Sequence, residues 1–316
     1  MDRQRFRQVV FSLLAAGIWG TAFVFQSVSA DHIEPFTFNA LRGVVAAAFL
    51  ALVLLGKWWL KARAVVDTSA PERQETQVRR WRDLLLGGFL CGTVLTVASN
   101  LQQLGLGETS PDKAAFITAM YVVLVPIFGL FLNKKVRPML WVSVAIAVVG
   151  LYFLCIHGDM SVARSDIYVF LCAVCFAVHI LVIDRFSARV DGIELSCVQF
   201  IVVALESCVG MLLVETPSLA DIGACIGSVL YVGVCSSGIA YTLQILAQKN
   251  SNPTVVTLLL SVEAIFATAA TVLALGHWMS GREMFGSFLM LVAVALAQLP
   301  SRVYEKLSCL LRKDKR

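Results

Sequence analysis

Charge is scarce in this chain. Asp, Glu, Lys and Arg make up 15% of its 316 residues and apolar residues 58%, against about 25% and about 45–50% in soluble domains. A water-soluble core cannot hide that much apolar surface, so the soluble fold classes are excluded first. No phosphate-cradling glycine loop is present, which argues against ATP-driven transport. His-Glu-x-x-His and the Gly-x-Ser-x-Gly elbow are missing as well, so the chain offers no enzyme signature. No helix-spaced row of basic residues marks a voltage sensor. The nine cysteines, Cys91, Cys155, Cys172, Cys175, Cys197, Cys208, Cys225, Cys235 and Cys309, are scattered, mostly through apolar stretches, and form no secreted disulfide framework. Strand-like alternation is also absent, which removes a transmembrane barrel.

What the chain does have is long apolar runs. A membrane-spanning helix needs roughly 20 mostly apolar residues. Ten segments qualify, at about 9–29, 36–55, 84–105, 113–132, 138–156, 166–185, 193–214, 222–247, 254–274 and 284–300. The short basic stretch Met1 to Gln8 leads into the first without a small-residue cleavage site, so a retained helix is expected. Lys and Arg then set the orientation. With the N-terminus in the cytoplasm, 22 of them fall in cytoplasmic pieces, three in the opposite loops, and Arg42 inside a span. Both termini are therefore expected in the cytoplasm. Trp58, Trp59, Trp81 and Trp141 fall at the expected cytoplasmic boundaries, as an aromatic belt would. Residues 57–83 read as a solvated loop that sets topology, and 301–316 as a basic, amphipathic cytoplasmic tail.

One stretch occurs twice. Ala98-Ser-Asn-Leu-Gln-Gln-Leu104 returns as Ala240-Tyr-Thr-Leu-Gln-Ile-Leu246, four of seven positions identical at an offset of 142. The same offset takes Pro111 to Pro253 and Tyr121 to Glu263, and an offset of 157 takes Trp19 to Phe176 and Arg42 to Gln199. A fixed long-range offset marks a duplicated unit. Each unit holds five spans, an odd number, so the second copy enters the membrane from the other side. The expected fold class is an all-α integral membrane bundle of ten transmembrane helices in two inverted five-helix repeats, 9–156 and 166–300.

Polar residues inside the spans are the candidates for a site, because a charge at the bilayer centre costs about 2.5–3.5 kcal/mol on insertion scales. Arg42 lies about two turns into the second span; it either faces a substrate or pairs with carbonyls, Asp31 or Glu34. Glu263, near the middle of the ninth span, either binds a cationic group or a coupling proton, or is a neutral hydrogen-bonding acid. Glu206 has an apolar counterpart, Phe49, and reads as a helix-pairing residue. His179 either binds substrate or relays a proton, or is a buried neutral ring that donates to a carbonyl. It shares a helical face with Cys172 and Cys175, but three ligands on one straight helix do not close around a metal, and none is expected. Asn100, Gln102, Gln103, Gln199, Tyr241 and Gln244 supply neutral donors and acceptors clustered around the repeat. Pro126 should loosen the fourth span.

Trp19-Gly-Thr-Ala-Phe23, Pro35-Phe-Thr-Phe-Asn-Ala-Leu-Arg42, Ala98-Ser-Asn-Leu-Gln-Gln103 and the run from Lys113 to Pro126 resemble the first half of EamA-type transporters of the drug/metabolite transporter superfamily. Val198-Gln-Phe200, Ala240-Tyr-Thr-Leu-Gln244 and Leu260-Ser-Val-Glu263 resemble the second half. The sequence departs from that pattern at Leu275-Gly-His277, at Ala264 and at Phe176. The resemblance implies a central cavity and transport, often outward, of small metabolites such as amino acids or related compounds.

The resulting reading is a secondary transporter, not an enzyme, with alternating access around a midplane cavity. The residues expected to bind substrate are Trp19, Arg42, Asn100, Gln103, Tyr121, His179, Gln199, Tyr241, Gln244 and Glu263. Expected partners are a small-molecule substrate, membrane lipids and a coupling proton, with a homodimer compatible with the sequence, no nucleic acid and no cofactor. The simplest address is a bacterial cytoplasmic membrane. Rival readings are a lipid flippase or scramblase with a lateral, lipid-open groove, and a non-transporting membrane partner or sensor.

Overall fold

The computed structural model describes residues 3–63, 74–109, 111–134, 136–156, 163–275 and 279–299. The tail 301–316, the middle of the long connection and His277 lie outside the described residues. Among the described residues every regular element is helical, and all ten spans are present. The first half contains α1 (Arg3–Ala30), α2 (Pro35–Arg63), α3 (Gln74–Leu106), a fourth span in two pieces, α4 (Pro111–Thr118) and α5 (Tyr121–Phe131), and α6 (Pro138–Cys155). The second contains α7 (Arg164–Phe186), α8 (Gly192–Val214), the short α9 (Leu219–Ala224), and an eighth span made of α10 (Ile226–Tyr231), a π-helical segment (Val232–Ala240) and α11 (Tyr241–Gln248). A ninth span follows in two pieces, α12 (Pro253–Leu260) and α13 (Glu263–Leu275), and then α14 (Gly281–Ala297).

Local sequence explains most of these bounds. Proline, whose missing N–H costs nothing in a first turn, is the first residue of α2, α4, α6 and α12. Asp191 caps α8 by accepting from the Ile193 and Glu194 N–H groups at 3.0 and 3.3 Å. The N-terminus of α2 is capped from the other half: the Glu215 carboxylate accepts from the Phe36 and Thr37 N–H groups at 2.8 and 2.6 Å. One expectation is corrected here. The connection expected as a loop over 57–83 is largely helical where described, because α2 continues to Arg63 and α3 starts at Gln74. A formed helix extends at little cost through good helix formers such as Leu60, Lys61, Ala62 and Arg63.

Nine helical stretches among the described residues are long and apolar enough to cross a membrane, and α14, with 17 residues, makes the tenth. The chain is a multi-pass membrane protein. Large apolar side chains such as Leu212, Leu213 and Phe131 face outward, while Gln, Asn, Ser and Thr side chains crowd the interior. That distribution suits a lipid surround, where polar groups must find partners inside the protein.

The two halves interleave. Helix α1 packs on α13, α2 on α8, α3 on α7 and α8, and α6 on α14. The α6–α14 crossing is backbone to backbone: a Cβ on Gly286 would lie 2.6 Å from the Gly150 carbonyl oxygen and 2.6 Å from the Leu154 nitrogen. At the lysine- and arginine-rich end, ion pairs join the halves between Lys57 and Asp191 (2.7 Å), Arg80 and Glu194 (3.0 Å), Arg189 and Asp83 (3.6 Å), and Lys134 and Asp184. Each is part-exposed and contributes at most about 1 kcal/mol, so they fix register more than they add stability.

Candidate functional site

The duplicated unit breaks its helix at the same place in both copies. The fourth span leaves α-helical bonding at Ala119–Met120, where Met120, Val122 and Val123 donate three residues back. The ninth does so at Ser261–Val262, where Ala264 and Ile265 donate three residues back. Both first pieces are eight residues long, and the second pieces open on Tyr121 and Glu263, the pair related by the offset of 142. Pro126 lies inside α5, one turn beyond the break, so the kink expected at Pro126 falls earlier. Its counterpart in the ninth span is Thr268, so proline alone does not make the break. There, Thr257 and Ser261 turn their hydroxyls back onto the Thr254 and Leu258 carbonyls at 2.9 Å each, bonds that compete with the helix ladder.

Tyr121 and Glu263 touch. The phenol donates to the Glu263 carboxyl at 3.0 Å, and both side chains are buried. Residues related by an internal two-fold meet only near its axis, so this bond marks the centre of the bundle. Gly20 of α1 lets the chain approach: a Cβ there would lie 2.6 Å from the Glu263 carbonyl oxygen.

Arg42 is 3% exposed. Its Nε donates to Ser237 Oγ at 3.0 Å and its Nη1 to Gln26 Oε1 at 3.3 Å, with the Phe38 ring 6.0 Å away and the Tyr241 hydroxyl beside it. No carboxylate lies within ion-pairing distance of it among the described residues; Asp31 and Glu34 are exposed, in a separate outer pocket. The π-helical segment explains the reach of Ser237. Its wider turns loosen the ladder, and the Ser236 carbonyl accepts from the Trp19 indole N–H at 3.3 Å. Trp19 meets the Tyr241 ring edge-on at 4.8 Å.

These groups enclose one cavity between the halves. Trp19, Arg42, Tyr121, Tyr241, Gln244 and Glu263 all line it. The Gln244 side-chain oxygen, Oε1, is buried there with no hydrogen-bond partner among the described residues. The cavity volume is about 40 Å³, where a single water needs about 10–15 Å³. In this conformation it has room for a few waters.

The other four expected residues sit elsewhere. Asn100 accepts from Asn39 at 3.1 Å and donates to Ser207 at 3.4 Å, tying α3 to α2 and α8. Gln103 donates to the Gln26 carbonyl at 3.0 Å and borders the outer pocket. His179 and Gln199 pair with each other at 3.2 Å. Glu206 accepts from Thr93 at 2.6 Å, a helix-pairing contact. Cavity residues absent from the expected set include Gln26, Thr118, Phe23 and Ser236. Trp19, Phe23 and Gln26 share one helical face, so spacing from Trp19 was the signal for two of them. Nothing in the sequence marks the π-helical turn that brings in Ser236.

Comparison with known proteins decides the family. The model of the EamA-like transporter family matches residues 7–156 and again 163–299. The chain belongs to the EamA-like transporter family. Its two matches coincide with the two structural halves. An uncharacterized transporter of Archaeoglobus fulgidus is 28% identical over 288 residues, 90% of this chain and 84% of the relative. A crystal structure of a protein 21% identical superposes with a TM-score of 0.73 over 94% of this chain and 98% of the other, a likeness of fold. An EamA-like chain with two inverted repeats is thus a membrane transporter by family, and the cavity at its axis is the place to look for the substrate.

Proposed function

We propose that this EamA-like protein is a secondary transporter that exports small metabolites, such as amino acids or related compounds, by alternating access. The observation that carries this reading is the Tyr121–Glu263 contact at the repeat axis, in a cavity that also holds Arg42, which has no counter-ion among the described residues. A guanidinium with unused donors, a carboxyl bonded once and an unpartnered Gln244 oxygen suit a solute with both anionic and hydrogen-donating groups. Trp19 and Tyr241 supply aromatic walls. Breaks in two cavity-lining helices supply places to bend as the cavity opens to one side and then the other. Both termini lie in the cytoplasm, by the distribution of Lys and Arg, and the membrane is a bacterial cytoplasmic one. Glu263 carries the coupling proton.

A metabolite-wide thermal-shift screen on the purified protein, followed by liposome uptake of any hit, tests the transport reading. Glu263→Gln then tests the coupling. Uptake driven by a pH gradient should disappear while counterflow persists. Unchanged pH-driven uptake would refute coupling through Glu263.

A further inference from the structure

A second, larger hollow opens sideways at the basic end of the bundle. The residues lining it line no part of the central cavity. Its walls are Leu90 of α3, Phe128 and Phe131 of α5 and Leu181 of α7, and its volume is about 1000 Å³, at the top of the range of about 300–1,000 Å³ for ligand pockets. Phe131 is 82% exposed, so the groove faces the surroundings of the bundle and not its axis.

The rim is charged, with Lys134, Asp184 and Arg185. Helix α5 ends in a left-handed Asn133, φ 57°, with the Lys134 N–H bonded to the Gly129 carbonyl at 2.9 Å and the Asn133 N–H to Leu130 at 3.0 Å. That turn brings Lys134 to the rim, where it pairs with Asp184. One ammonium hydrogen suffices for this pair, and two donors remain. Arg185 is exposed in the last turn of α7, and no acid pairs with it among the described residues. Among the described residues the rim therefore carries one surplus positive charge.

This charge belongs to one copy of the repeat only. The offset of 142 takes Lys134 to Gly276, and the offset of 157 takes Asp184 and Arg185 to Ser27 and Val28. The charged rim is therefore not a by-product of the duplicated scaffold. An apolar trough that ends in cationic donors matches one chemistry: a hydrocarbon chain with an anionic head. Basic pockets between transmembrane helices take anionic headgroups, and the planar guanidinium matches phosphate oxygens.

We propose that this groove binds an anionic phospholipid, its phosphate at Arg185 and Lys134 and an acyl chain along Phe128, Phe131 and Leu181. The lipid bridges α5 of one half and α7 of the other at the outer surface of the bundle, away from the substrate path.

The test uses the full chain reconstituted in phosphatidylcholine, with and without phosphatidylglycerol. Lipid retained after detergent extraction is counted by native mass spectrometry, and the unfolding midpoint is read in parallel. Wild type should retain phosphatidylglycerol in preference to phosphatidylcholine and unfold later in its presence. Arg185→Gln, at an exposed position that leaves packing intact, should weaken that retention about fivefold, and Arg185→Lys should keep most of it. Equal retention of both lipids would overturn the proposal, as would unchanged preference in Arg185→Gln. A photo-crosslinker at Phe131 that captures a second copy of the chain in place of lipid would overturn it too.

Discussion

The fourth span breaks at Ala119–Met120 and resumes at Tyr121, and the ninth breaks at Ser261–Val262 and resumes at Glu263. The geometry is the same to the residue, and the chemistry is not. One copy offers a phenol and a proline one turn on; the other offers a carboxyl and a series of hydroxyls turned back on their own helix. The two helices that cross these breaks differ as well. Gly20 of α1 lies against Glu263, whereas its counterpart at an offset of 157, Ala177 of α7, belongs to the helix that packs on α4 and α5. The duplicated scaffold preserves where the chain bends. The residues at the bend are free to diverge, and their divergence gives the cavity a donor on one wall and an acid on the other.

The largest expected effect comes from making the two copies alike at the crossing helix. In Gly20→Ala the new Cβ would lie 2.5 Å from Phe266 Cβ and 2.7 Å from the Ala267 nitrogen. Backbone on α13 cannot give way as a side-chain tip does, so a loss of about 1–3 kcal/mol is expected. The reverse change, Ala177→Gly, should cost about 1 kcal/mol from helix propensity alone. Unfolding midpoints of both variants check this, and equal losses would erase the distinction between the copies.

Next is the bond between the mirrored residues. Tyr121→Phe, Glu263→Gln and the double variant form a cycle whose coupling energy should fall at about 0.5–3 kcal/mol. Additive effects would mean that the two side chains do not meet.

A smaller effect separates the caps of the paired helices α2 and α8. Burial alone would raise the Asp191 carboxyl, but the Lys57 ammonium and the Ile193 and Glu194 N–H groups hold it below the usual carboxylate range. Its folded-state pKa is thus depressed. The stability it adds is present above the unfolded carboxylate pKa and is lost as pH falls through the folded value. The side chain is 31% exposed, so that contribution stays under about 1 kcal/mol after screening. Asp191→Asn keeps the cap and should flatten the acid limb of a stability-versus-pH curve. Glu215→Gln, which weakens the cap on α2 supplied from the other half, should loosen the contact between halves, read as faster hydrogen exchange at Phe36 and Thr37.

The smallest effect is expected at Pro126. Pro126→Ala restores one N–H to α5 and should add at most about 1 kcal/mol. Exchange at Met120 and Tyr121 should stay as it was, because the ninth span makes the same break without a proline. Closure of the break in this variant would assign it to Pro126 after all.

The bundle was legible because lipid leaves so few options. Spans, their number and the inversion of the second copy follow from apolar length and an odd count of crossings. At the cavity, Trp19, Arg42, Tyr121, Tyr241, Gln244 and Glu263 were legible as polar or aromatic residues at matched depths in the repeats. Asn100, Gln103, His179 and Gln199 met the same criterion, yet they lie between helices. Depth along a span can be read from sequence; rotation about the helix axis cannot when buried polar faces point both to neighbours and to the cavity. Ser236 was hidden for another reason: a π turn rotates everything beyond it relative to an ideal helix, and no residue pattern in Val232–Ala240 announces it.

Alternating access through this cavity is tested most directly by a single cysteine at Gln244, in a chain whose nine native cysteines are replaced, probed with a membrane-impermeant thiol reagent from each side of the bilayer in turn. The expected result is labelling from both sides, slowed in each case by a transported solute. Labelling from one side only, or labelling that the solute does not slow, would contradict a shared binding site opened alternately to the two faces.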